Sequence, residues 1–205
     1  MIVPDYWQLA KLFLEREDKV MARLMARYPE PLVRTGDSFH TLTRAIVGQQ
    51  ISIKVADRVW ARLVGHVGGI APATILGISE QELKGVGLST SKVRYLRNIA
   101  LYYEERKITD AYWEGRSFEE VREELLKIKG VGHWTVEMFA IFHLHEPDVF
   151  STADIGLQKA VGRLYFDLEK LKKHDLDAFS ERWRPFRTVA AWYLWRYLDP
   201  EPVCY

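Results

Sequence analysis

The chain has a single cysteine in 205 residues, Cys204. That excludes an internal disulfide, a cysteine-ligated zinc site and an iron–sulfur cluster held by several thiolates. No apolar run approaches the ~18–20 residues that cross a bilayer, and no series of alternating apolar and polar residues marks strands. Neither sign of charge dominates: 29 Lys and Arg stand against 28 Asp and Glu, a net charge of +1. Net charge alone therefore gives no support to a polyanionic partner. Nucleotide-binding motifs and HExxH are missing, which argues against an unrelated metabolic enzyme. The N-terminus, MIVPDYWQLAKLFLERED, carries early acids and no small-residue cleavage site, so it does not read as a signal peptide. The expectation is an intracellular protein with no membrane partner.

What is present is helical patterning in an ordinary globular composition, 48% hydrophobic and 28% charged. Tyr6 to Arg27 reads as one or two helices broken near Asp18. Ser38 to Gln49 follows with Ser38 as a candidate N-cap, then Ser52 to Val64 with Val55, Ala56, Val59 and Leu63 on one side. Gly65 to Pro72 reads as a glycine-rich loop. A helix capped by Ser89 or Ser91 runs to about Arg106, with Val93, Leu96, Ile99, Ala100 and Tyr103 as its apolar stripe. Ser117 and Glu120 form a capping box. His133 to His145 is apolar almost all round, as a buried central helix should be. Asp154 to Phe166 and Pro185 to Leu198 complete about ten helices. No low-complexity linker separates them.

Local charge is less even than net charge. Lys84 to Arg97 contains Lys84, Lys92, Arg94 and Arg97 with no acid, and Arg182 to Arg196 contains Arg182, Arg184, Arg187 and Arg196 with no acid. Such runs are either solvated helix faces or a surface that meets phosphates.

The most informative stretch is IKGVGHWTVEMF, Ile128 to Phe139, in which Gly130-Val131-Gly132 precedes an apolar helix. Glycines permit a tight turn, and the N–H groups at the start of the second helix, with its dipole, can bind an anion such as phosphate. A plain helix–helix turn is the simpler alternative. A shorter echo, LKGVGLST at Leu83 to Thr90, is either a second such turn or a helix connector. Farther on comes FSTADIGLQKAVGRLYF, where Asp154 heads a helix. It is either an ordinary N-cap or a carboxylate available as a general base.

Together, IKGVGHWT, ADIGLQKA, RAIVGQQIS (Arg44 to Ser52), GLSTSKVRYLRNIA (Gly87 to Ala100) and ERWRPFRTVAAWYLWRY (Glu181 to Tyr197) occur in the order found in a known family. The chain from about His40 to Tyr197 resembles the helix–hairpin–helix superfamily of base-excision DNA glycosylases, specifically its alkylpurine branch, the 3-methyladenine DNA glycosylase II type. The resemblance implies an all-α, two-lobed fold with the active site in the cleft between lobes. One lobe would take residues 1–35 and 150–205, and the other residues 36–149 with the hairpin at 128–135. The extra N-terminal β-domain of some members is not expected here.

By the same resemblance Asp154 is the catalytic aspartate, and Gly130, Gly132 and Thr135 grip a DNA phosphate. The carbonyls of Leu126, Ile128 and Val131 would hold a monovalent cation, Na or K. Trp134 and Trp195 would wall a pocket for an everted base, with Met138 and Ile155 also in it. Gln50 would be the wedge that fills the gap in the duplex, and Lys92 and Arg94 would contact the backbone. Trp134 stands where strand-cutting members carry a Schiff-base lysine, so the expected enzyme uses water, needs no catalytic cofactor and has no lyase activity. Its expected partner is double-stranded DNA containing damaged bases, its expected state is a monomer, and its expected place is the cytoplasm with the nucleoid, or the nucleus if the source is eukaryotic. Two alternatives remain: a glycosylase for hypoxanthine, uracil or a mismatched base, and a non-enzymatic DNA-binding module. Without the resemblance, Trp195 reads as core packing beside Trp192, Tyr193 and Leu194.

Overall fold

The computed structural model describes residues 2–201; Cys204 lies outside them. Twelve α-helices make up the described chain, with no strand beyond one isolated bridge between Ile2 and Arg34. None of these helices is long and apolar enough to cross a membrane. The chain divides into two compact units: one takes residues up to Thr35 and from His145 on, the other spans Gly36–Leu144. The return to the first unit thus falls five residues before the expected 150. The apolar helix of the second unit ends there in a wide turn, Ala140–Leu144, and His145 follows in the left-handed region at φ 58°.

In the first unit, α1 (Trp7–Glu17) and α2 (Lys19–Arg27) meet at Asp18, whose carboxylate caps α2 through the N–H groups of Val20 and Met21. The same buried side chain accepts the Tyr165 hydroxyl at 2.8 Å and the Trp183 indole N–H at 2.9 Å. Four donors on one carboxylate offset the cost of removing it from water. They also join α2 to α10 (Ile155–Tyr165) and to the segment leading into α12 (Arg187–Leu198). Between these lies the short α11 (Lys173–Ser180), which the sequence pattern does not announce.

The second unit contains α3 (Ser38–Gly48), α4 (Ile53–Val67), α5 (Pro72–Gly77), α6 (Glu80–Gly85), α7 (Thr90–Arg106), α8 (Phe118–Leu125) and α9 (His133–Phe139). Its core gathers Leu42 and Ile46 of α3, Leu63 of α4, Leu96 and Ile99 of α7, and Phe139 of α9, all fully or almost fully buried. Three boundaries differ from expectation. Asp37, not Ser38, caps α3 through the His40 N–H, and the Ser38 N–H itself donates to Asp110. Helix α4 continues through Gly65 to Val67, because Leu63 anchors its last turns and a left-handed Gly68 ends it. Part of the expected loop is α5, where Pro72 occupies the first helical position that tolerates it.

Candidate active site

Asp154 caps α10. Its Oδ1 accepts the Leu157 N–H at 2.9 Å and the Trp195 indole N–H, from α12, at 3.1 Å. Both side chains are half-buried in the first unit. The pair is close enough to need a glycine beside it: a Cβ on Gly156 would lie 2.9 Å from Asp154 Oδ1 and 3.3 Å from Trp195 Cδ1. Core packing alone therefore does not describe Trp195, whose polar edge orients the carboxylate. Ile155, the first residue of α10, is 60% exposed.

The hairpin lies in the second unit. Gly130 takes φ 107°, a value L side chains rarely adopt, and Gly132 precedes α9 with no side chain to cap it. Tyr95 packs closely against Gly130, so that a Cβ there would come within 2.6 Å of the Tyr95 Cβ and closer to its ring. Asn98 donates to the Lys129 carbonyl at 2.8 Å. From α3, the Gln49 amide nitrogen donates to the Gly130 carbonyl at 3.1 Å and to the Thr135 hydroxyl oxygen at 2.9 Å. These braces fix a turn whose shape would otherwise be left to a flexible glycine. Trp134 is half-buried on α9, and Met138 is one turn on and 2% exposed.

Three expectations need correcting. Thr135 is 1% exposed and engaged by Gln49, so its hydroxyl supports the hairpin from inside and is not presented to a phosphate. Lys92 turns its ammonium inward: Nζ donates to the Val47 carbonyl near the end of α3 at 2.8 Å, and burial holds its pKa below the usual lysine value. A cation at a helix C-terminus is favoured by the dipole and the exposed carbonyls. The run from Arg182 to Arg196 is also no open basic face. Arg184 and Arg187 pair with Asp148 and Glu181, Arg196 is buried against Glu30 and over Tyr28, and Arg182 lies over Phe179. By contrast Arg94 and Gln50 are exposed, and Gln50 takes a left-handed φ of 58°.

The echo is geometric, but in a shifted register. Gly87, at φ 106°, is the counterpart of Gly130, and Ser89 stands where Gly132 does, two residues after the positions where matching the Gly-Val-Gly triplets would place them. Ser89 caps its own helix through the Lys92 N–H. That turn starts α7 in the position from which Lys92 reaches α3.

At the expected cation site, the Ile128 carbonyl accepts the Val131 N–H at 3.0 Å, which occupies one of its two lone pairs. Neutral carbonyl oxygens from Leu126, Ile128 and Val131 are a donor set that suits a hard alkali ion better than a transition metal. Among the described residues no group of three or more His, Cys, Asp or Glu side chains is placed to hold a metal.

Residues 43–185 match a family model described as HhH-GPD superfamily base excision DNA repair protein. The chain belongs to the HhH-GPD superfamily. The proteins it is similar to include DNA-3-methyladenine glycosylase 1 of Schizosaccharomyces pombe, 32% identical over 89% of this chain and 82% of that protein. Another is the putative DNA-3-methyladenine glycosylase YfjP of Bacillus subtilis, 29% identical over 82% of this chain but 62% of the relative. The chain therefore spans less than two thirds of that relative's length. Among solved structures, the S. pombe 3-methyladenine DNA glycosylase Mag1 in complex with abasic DNA superposes with a TM-score of 0.83 at 31% identity, over 91% of this chain and 95% of that one. An all-helical HhH-GPD fold follows from the helices and these matches together.

Proposed function

We propose that this protein is a monofunctional DNA glycosylase of base excision repair. It binds double-stranded DNA containing damaged bases as a monomer, turns an alkylated purine out of the stack and hydrolyses its N-glycosidic bond. The observation that carries this reading is the Asp154–Trp195 pair, a helix-start carboxylate whose orientation is fixed by an indole N–H. A protein that only gripped phosphates would need neither group. The names of the relatives point to the same substrate class.

In this reading a base cannot be reached inside the duplex, so the nucleotide must be flipped. The C1′–N bond breaks and its electron pair leaves with the base. A purine alkylated at a ring nitrogen carries positive charge and departs neutral, so no strong general acid is required. Asp154 stabilises the cationic sugar and takes the proton of the water that adds to C1′, leaving an abasic site. Trp134 offers an aromatic face to the cationic base, an interaction worth ~0.5–2 kcal/mol. Gly130 and Gly132 grip the strand, Gln50 fills the gap, and Arg94 adds backbone charge. Leu126, Ile128 and Val131 would hold a monovalent cation that offsets phosphate charge when bound.

The test is to incubate the protein with duplexes carrying 3-methyladenine, 7-methylguanine, hypoxanthine or uracil and to identify the freed base. The methylated purines should be released, and strands should break only after alkali. Prompt nicking by the protein alone, or release of uracil only, would overturn the assignment. Trp195→Phe keeps an aromatic ring but removes the donor to Asp154. Single-turnover release should drop about tenfold, the worth of one hydrogen bond to a charged group, while affinity for undamaged duplex stays the same. An unchanged rate would leave Trp195 a packing residue.

A further inference from the structure

Gln49 is the C-cap of α3, and its backbone N–H closes that helix on the Ala45 and Ile46 carbonyls. Its side chain is half-buried and spends both amide protons on the hairpin, one on the Gly130 carbonyl and one on the Thr135 hydroxyl oxygen. A carbonyl can only accept, so it is the amide nitrogen that faces Gly130. The next residue, Gln50, is exposed and left-handed. Two residues before Gln49, the Val47 carbonyl is held by Lys92 from α7. The short segment carrying Gln50 is thus tied on one side to α7 and on the other to the tightest residue of the hairpin.

We propose that Gln49 is a positioning residue, whose amide sets the separation between Gln50 and the Gly130–Gly132 turn so that the inserted side chain and the strand grip act as one rigid element. This rests on the function proposed above, in which Gln50 enters the duplex and the hairpin holds the backbone. The chemistry required at position 49 is specific. One nitrogen must supply two protons at the end of a flexible stem without adding charge. Leucine fills a similar volume and supplies none, and glutamate turns oxygen toward the Gly130 carbonyl.

The experiment uses a duplex with a tetrahydrofuran abasic analogue opposite 2-aminopurine, whose fluorescence reports a side chain inserted beside it. Wild type, Gln49→Leu, Gln49→Glu, Gln50→Ala and the Gln49→Leu/Gln50→Ala double variant are compared. Melting by circular dichroism establishes that each is folded at the assay temperature. Gln49→Leu should lose most of the fluorescence change and about tenfold in affinity for the abasic duplex, roughly one to two hydrogen bonds. Its affinity for undamaged duplex should stay within about twofold. The double variant should be no weaker than the weaker single variant, because Gln49 acts through Gln50. Gln49→Glu should reproduce the pattern and covers the case in which Gln49→Leu does not fold. Additive losses, equal weakening on both duplexes, or a full fluorescence response from Gln49→Leu or Gln49→Glu would overturn the proposal. If wild type itself gives no response and frees no base, it is the function reading that falls.

Discussion

Asp154→Asn should release methylated purines at least about a thousandfold more slowly than wild type, a barrier increase of roughly 4 kcal/mol. The substitution is chosen for what it leaves intact. Asparagine is as good an N-cap as aspartate, and its carbonyl oxygen can still accept from the Leu157 N–H and the Trp195 indole that Oδ1 accepts from now. Size and local geometry are therefore preserved. What disappears is the negative charge that would stabilise the cationic sugar and the basicity that would take a proton from water. Duplex affinity should hold or rise slightly, since a charge repelled by phosphates has gone. Single-turnover release and equilibrium binding on the same methylated duplex measure both effects. A normal release rate would show that the chemistry lies elsewhere.

Gly130→Ala is the second large effect, and it is expected in binding and in stability. Forcing a side chain to φ 107° costs about 1–2 kcal/mol. The new methyl group would also overlap Tyr95, packed against that face of the glycine. Moving Tyr95 aside adds about 1–3 kcal/mol, as overpacking does elsewhere. Loss of roughly 2–5 kcal/mol should appear as a lower denaturation midpoint. The added methyl group would displace the turn itself, so affinity for undamaged and abasic duplex should fall together. Gly132→Ala is the internal control: apart from its chain neighbours, nothing lies within 4 Å of its would-be Cβ, and its φ of −106° suits alanine. Equal behaviour of the two variants would remove the steric account of the hairpin.

Much of this was legible before any coordinates. The break at Asp18, the Ser117–Glu120 capping box and the helix starting after Asp154 all follow from local chemistry, because a cap bonds to N–H groups two or three residues away. The catalytic candidate was legible through the same local signal combined with the resemblance. What was not legible depends on distant partners. The run from Arg182 to Arg196 reads as open positive charge until Glu30 and Asp148 arrive from other segments. Thr135 reads as a first-turn hydroxyl until Gln49, 86 residues away, takes it inward. The short helices α5 and α6, six residues each, carry too few turns for a periodic pattern to show. Gln49 itself left one faint sign, a second glutamine at the end of an apolar helix. The register of the echo is set by backbone torsion at Gly87 and Gly130, which letter-by-letter comparison cannot see.

The carboxylate of Asp18 bears on how far the protein can be shortened. The segment recognised as the family begins at residue 43 and stops at 185, so a gene trimmed to it would omit α1, α2 and the whole of α12. Such a fragment would leave the Trp183 indole and the Tyr165 hydroxyl without their shared acceptor, and would take Trp195 from beside Asp154. The minimal expressible unit must therefore keep its first thirty or so residues, although they contribute nothing to the match.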